Sequence, residues 1–143
     1  MGFQKKIFPA DLIILAAGGL STPVILQNSK IPCESRLFVD PVLCVAAEWS
    51  QVGQDREIPM PFAAQLDHYL LSPYFDYLSF FFNKKWHHPA ENILSLMIKL
   101  ADTISGSINA EKLNKTLTTE DKNHLQKAVD LCTEILIRLG VQK

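Results

Sequence analysis

The sequence predicts an α+β fold, an antiparallel sheet backed by one long C-terminal helix and preceded by a strand-turn-helix unit. Three observations predict it. Residues 119–139 place Leu125, Ala128, Val129, Cys132, Ile135, Leu136 and Leu139 at helical spacing. Residues 41–49, 58–66 and 93–100 are β-leaning, and the last two alternate apolar with other residues. Residues 11–31, DLIILAAGGLSTPVILQNSKI, read as an apolar run, a glycine pair and a second apolar run. Strands segregated from helices define an α+β arrangement, not a repeating βαβ one.

Taken in order, residues 3–8 form a short extended lead-in that Pro9 ends. Residues 12–17 then make a six-residue apolar run stopping at Gly18-Gly19, the pattern of a buried parallel strand. Thr22 is expected as the N-cap of the next helix, with Pro23 at its first position, where a missing N–H costs nothing. Residues 31–35 are a connector. In residues 58–66, Ile58, Met60, Phe62, Ala64 and Leu66 share one face, and Pro59 and Pro61 confine that strand to an edge. Asp67-His68 reads as a turn. Residues 69–72 and 74–82 are aromatic-rich extended segments broken at Pro73. For residues 93–100 the alternation of Leu94, Leu96, Ile98 and Leu100 favours a strand, followed by a turn at Ser105-Gly106. The final helix has Thr118 or Thr119 as its N-cap. Glu120 and Asp121 sit at its positive end, Arg138 in its last turn, and Gly140 at C′. Its buried stripe is expected to be Leu125, Val129, Cys132 and Leu136, with Lys122, Lys127 and Glu134 facing water.

The stretch AAGGLSTPVILQNS resembles the second motif of the glucose-methanol-choline family of flavoprotein oxidoreductases. Gly18, Gly19, Thr22, Pro23, Ile25, Leu26 and Ser29 stand where that motif expects them. The family usually has Gly after the serine, and here Lys30 stands there. The resemblance implies that residues 1–32 are the C-terminal remnant of a FAD-binding domain and residues 33–143 a substrate-domain-like sheet plus helix. It implies FAD as cofactor, with Ala16, Ala17, Gly18 and Gly19 as its neighbours. The implied reaction is hydride transfer from an alcohol carbon to the flavin, and the implied partners are a small alcohol and the missing FAD-domain portion. From residue types alone, the glycines fit equally a βα turn that merely needs unusual backbone angles.

Other features limit that reading. The six glycines cannot spell G-x-G-x-x-G, the fingerprint that grips a dinucleotide's pyrophosphate. None of the four histidines lies in wording that matches the family's catalytic region, so no catalytic residue is carried over. The implied piece is expected to be inactive by itself; the alternative is a stand-alone, non-catalytic α+β binding or interaction module.

The composition, 48% hydrophobic and 20% charged, calls for a globular core. A net charge of −1 without a basic stripe argues against nucleic acid. Three cysteines without C-x-x-C spacing suggest unbridged thiols and a cytoplasmic setting. The run after Lys5 and Lys6 is shorter than a signal peptide's, and none approaches the roughly 20 apolar residues of a membrane span. No metal is expected, because no H-x-x-x-H or C-x-x-C pattern occurs and adjacent His87 and His88 diverge in an extended chain. The aromatic cluster of Tyr69, Tyr74, Phe75, Tyr77, Phe80, Phe81 and Phe82 either packs on the helix or lines a substrate pocket, with Asp76 as a polar partner.

Overall fold

The computed structural model describes residues 6–34, 36–49, 58, 60–75, 90–108 and 112–141. Its main layer is a four-stranded antiparallel sheet in the order β2-β5-β4-β3. Here β2 is Val42–Glu48, β3 Ala64–Gln65, β4 Tyr69–Tyr74 and β5 Ile93–Leu100. A smaller antiparallel sheet has the order β1-β6-β7, with β1 Arg36–Leu37, β6 Gly106–Ile108 and β7 Leu113–Asn114. Helix α1 is Gly18–Asn28 and helix α2 is Thr119–Arg138. The expected class, a sheet backed by a long C-terminal helix, is what the chain forms.

The core lies between the main sheet and α2. Leu94, Leu96, Ile98 and Leu100 of β5, with Leu71 of β4, meet Leu125, Ala128, Cys132 and Leu136 of α2. Ile98, Leu100, Ala128 and Cys132 are fully buried. The small side chains of Ala128 and Cys132 allow the helix axis close to the sheet. Val129, expected in the buried stripe, is half-buried and Ala128 takes the central place. Lys122, Lys127 and Glu134 are exposed as expected. β5 also buries Ile93, Ser95 and Met97 on its other face, as befits a central strand.

Both ends of α2 are closed by local chemistry. Thr118 Oγ1 accepts the Asp121 N–H at 3.1 Å, and Asp121 Oδ2 accepts the Thr118 N–H at 2.8 Å, a complete capping box. At the other end Gly140 adopts φ +77°, and the N–H groups of Gly140 and Val141 donate to the carbonyls of Ile137 and Leu136.

Four expectations are corrected. Residues 12–16 pair with no described strand, so the strand of the strand-turn-helix unit is absent among the described residues. Helix α1 starts at Gly18, not at Thr22-Pro23, and carries Pro23 inside it. Gly18 supplies the φ of +76° that turns the chain into the helix, and Pro23 withholds one N–H from the Gly19 carbonyl. The alternation of 58–66 yields only the two-residue β3; Ile58, Met60 and Phe62 are exposed. Gly106 is not a turn residue but part of β6. A Cβ there would stand 2.9 Å from the Asn114 carbonyl oxygen and 3.0 Å from Leu37 Cβ. β7 and β1 thus require glycine between them.

Pro73 does not break β4. The β3–β4 register pairs Ala64 with Leu71, so Phe62 lies opposite Pro73. A residue with an N–H would donate to the Phe62 carbonyl there. Proline cannot, and the neighbouring Ser72 Oγ donates to that oxygen instead, at 2.6 Å. The missing donor is thereby replaced, and β4 runs on to Tyr74. The expected segment at 76–82, including Asp76, lies outside the described residues.

Truncating the core should separate buried from exposed helix positions. Leu136→Ala is expected to cost about 2–5 kcal/mol, whereas Lys127→Ala should lie within about 0.5 kcal/mol of the parent. Denaturant midpoints of the two variants check this; equal shifts would contradict the assignment of the buried stripe.

Candidate cofactor-facing turn and buried polar joint

The four residues singled out for cofactor contact, Ala16, Ala17, Gly18 and Gly19, lie together where the extended segment meets α1. All four are exposed. No side chain caps the helix start at Ala17, and no acidic residue occupies its first turn. The first-turn amides thus lack the usual intramolecular partner, and the local field favours an anion. A Cβ added at Gly18 or Gly19 would meet nothing within 4 Å. No described residue therefore walls in this turn; what would close a cofactor site there must come from elsewhere. Leu12, Ile13 and Ile14 precede the turn at 75–80% exposure. Consecutive apolar side chains point to alternate sides of an extended chain, so both sides of this segment are open.

At the far end of α1, Lys30 stands where the resembled motif has glycine. Lys30 N–H donates to the Gln27 carbonyl and Ile31 N–H to the Leu26 carbonyl, both at 2.9 Å. This is the paired closure in which the residue at C′ turns left-handed, and Lys30 has φ +59°. The position that usually holds glycine in the resembled motif keeps a glycine's backbone geometry with lysine in it. Cys33 Sγ donates to the Pro23 carbonyl at 3.6 Å, which ties the connector back to α1.

A second polar arrangement was not anticipated from the sequence. Asp102 and Lys115 form a nearly fully buried ion pair between the main and small sheets. Asp102 Oδ1 also accepts the N–H groups of Val39 and Asp40, at 3.1 and 2.7 Å. Lys115 Nζ donates to the Thr103 carbonyl and to Ser105 Oγ. Asp40 itself is left-handed, at φ +51°, and pairs with Lys99 at 2.8 Å beside a cavity of about 210 Å³ lined also by Tyr69 and Gln65. Next to this joint, Asp121 Oδ1 accepts both the N–H and the hydroxyl of Thr103. Burial pushes the Asp121 carboxyl upward. The amides and hydroxyls of Thr103 and Thr118 outweigh it and hold the group well below the usual carboxylate range. Asp102 is lowered in the same way: burial opposes ionisation, while Lys115 and the amides of Asp40 and Val39 prevail. These carboxylates are fully engaged by protein groups, so the joint is structural and not a reacting centre.

The aromatic cluster divides between the two alternatives. Tyr69 packs against the core with the helix, whereas Tyr74, two strand steps from Ser72, belongs to the opposite face. Tyr77 and Phe80 to Phe82 lie outside the described residues, as do His87 and His88. None of the three cysteines forms a disulfide. Burial raises the Cys132 thiol to about 11, so it is a packing group. Among the described residues no set of three His, Cys, Asp or Glu side chains could hold a metal ion. No helix of the described residues is long and apolar enough to cross a membrane.

Comparison with known proteins adds one relative. The chain is 28% identical over 142 residues to an uncharacterized protein of Methanocaldococcus jannaschii, a match covering 96% of this chain and 38% of that protein. The chain thus spans well under half the length of the curated relative it matches. No protein family matches the chain, and no solved structure does.

Two outcomes are expected. Lys30→Gly should stabilise α1 by about 1 kcal/mol, because glycine relieves the left-handed penalty of a Cβ. Slower hydrogen exchange of the α1 amides reads this out; unchanged exchange would mean that Lys30 is unstrained. The lowered carboxyls fix the sign of the acid response. Stability from Asp102 and Asp121 is complete above the unfolded carboxylate pKa of about 3.9 and is lost as pH falls through the still lower folded values. Asp121→Asn should destabilise the chain at neutral pH by about 1–3 kcal/mol and flatten its acid unfolding profile. Urea midpoints measured from pH 7 down to acid check both.

Proposed function

We propose that this chain is the sheet-bearing part of a cytoplasmic flavin-dependent oxidoreductase that takes hydride from an alcohol carbon. In this reading residues 12–28 complete a FAD domain contributed by other polypeptide. The observation that carries the reading is the segment running from Leu12 into α1. It is apolar on both sides, unpaired among the described residues, and ends in an uncapped helix start with two glycines. Such a segment is suited to be a central strand of someone else's sheet, with the glycine turn close to an anionic group. The left-handed Lys30 supports the same motif at its other end. The match to little more than a third of a longer archaeal protein fits a chain that acts alongside further sequence. Ala16 to Gly19 would form part of the cofactor wall. The flavin would supply the redox chemistry, and the residues of this chain would shape and dry the site.

A second reading is favoured by the same exposure. The apolar segment serves a stand-alone interaction module if it pairs with a partner chain and no cofactor is involved.

The two are separated by mixing this chain with the part of the archaeal relative that it does not match. Alone, residues 12–17 are expected to exchange amide hydrogens freely and the chain to retain no FAD. In the mixture, those amides should become protected and a flavin absorption band should persist through gel filtration. Protection without flavin would favour the interaction module. Strong protection of residues 12–17 in the isolated monomer would overturn both.

A further inference from the structure

The turn between β3 and β4 carries a histidine that meets another from α2. The rings of His68 and His124 stack face to face, with centroids 3.9 Å apart and planes 8° from parallel. They flank an open cavity of about 430 Å³ that is also lined by Gln65, Asp67, Tyr69 and Lys127. His68 is held firmly: its carbonyl accepts the Ala101 N–H at 2.9 Å, and the turn is closed by the Leu66 N–H donating to the Tyr69 carbonyl at 2.9 Å. His124 and Lys127 sit one helical turn apart on α2, on one side of it. The site is therefore built from two elements that the core already fixes against each other.

We propose that this cavity binds a small oxyanion, a phosphate or a carboxylate, through His68, His124 and Lys127. Parallel rings cannot share one metal ion, because imidazole lone pairs lie in the ring planes and these planes do not converge. The described residues also offer no third ligand. The two rings stack with centroids 3.9 Å apart and both line the same cavity, so their in-plane N–H donors lie close enough together to serve two oxygens of one oxyanion. Lys127 adds an ammonium at the rim.

The opposing charges nearby are few. On the turn, Asp67 lines the same cavity, as does Tyr69. On α2, Glu120 is exposed one turn before His124, while Asp121 is fully occupied by Thr103 and Thr118. At the adjoining end of β5, Asp102 is matched by Lys115 and Lys99 by Asp40. The site does not depend on the flavin reading, since none of its residues belongs to residues 12–28.

The test uses the whole chain with inorganic phosphate and, separately, acetate, followed through the imidazole proton signals. The His68 and His124 signals are expected to move together along one saturable curve. His68→Gln and His124→Gln should each weaken binding about tenfold and Lys127→Ala about threefold. Tighter phosphate binding would mark a phosphate-bearing ligand and tighter acetate binding a carboxylate; either supports the site. Absence of a saturable shift with both anions overturns it, as does an unchanged curve in the glutamine variants. Should those variants unfold, the exposed Lys127→Ala decides alone, and unchanged affinity in it overturns the proposal.

Discussion

The fold depends on one contact, the closure of β5 against α2. Ile98 and Leu100 on the strand and Ala128 and Cys132 on the helix are sealed from water. Burying a side chain the size of Ile98 or Leu100 is worth about 1.5–3 kcal/mol. Everything else is positioned by that seam. β2 and β4 pair along the two edges of β5, β3 hangs on β4, and the turn that carries His68 is placed beside His124 because strand and helix are already locked. In a chain of this size no second apolar core of comparable completeness is seen among the described residues. Polar groups at Asp102, Lys115 and Thr103 link the small sheet to the large one.

Where structure follows from neighbours in sequence, the residues disclosed it. Thr118, Asp121 and Gly140 mark the ends of α2 because capping chemistry operates within three or four positions. β5 was visible from its alternation, although burial of its other face required knowing that two strands flank it. The start of α1 departs from the sequence expectation because a proline after a hydroxyl residue is a good helix-opening signal, and the competing solution, a left-handed Gly18, leaves no mark beyond the glycine itself. Among the described residues, the alternating stretch 58–66 pairs as a strand only at Ala64–Gln65, and alternation alone does not provide a partner. The polar joint was illegible for a different reason. Asp102 bonds to the Asp40 amide across 62 residues, and His68 meets His124 across a similar interval. No local pattern encodes such pairings.

The candidate cofactor residues were legible only as a motif. They do lie together, at a helix start with no side-chain cap, but no described residue encloses them. The structure therefore assigns different tasks to the two halves of the chain. The described strands from β2 onward pair with one another and share a core with α2, whereas the segment from Leu12 to α1 presents apolar surface and an uncapped helix start outward. The polar device at Ser72 and Phe62 illustrates the first half: even the hydrogen bond that Pro73 cannot make is supplied from within.

Asp121 has one further consequence. A single carboxylate serves the start of α2 through Thr118 and the 103–105 loop through Thr103, and that same loop contacts Lys115 of the buried ion pair. Fraying of the first helical turn therefore cannot proceed alone, because it strips the loop of its acceptor and loosens the anchor of the small sheet. These three regions should open and close as one cooperative unit. A thermal fluctuation at the helix tip would then be felt about a sheet's width away, as altered opening of Gly106–Ile108, with the apolar seam between β5 and α2 left intact.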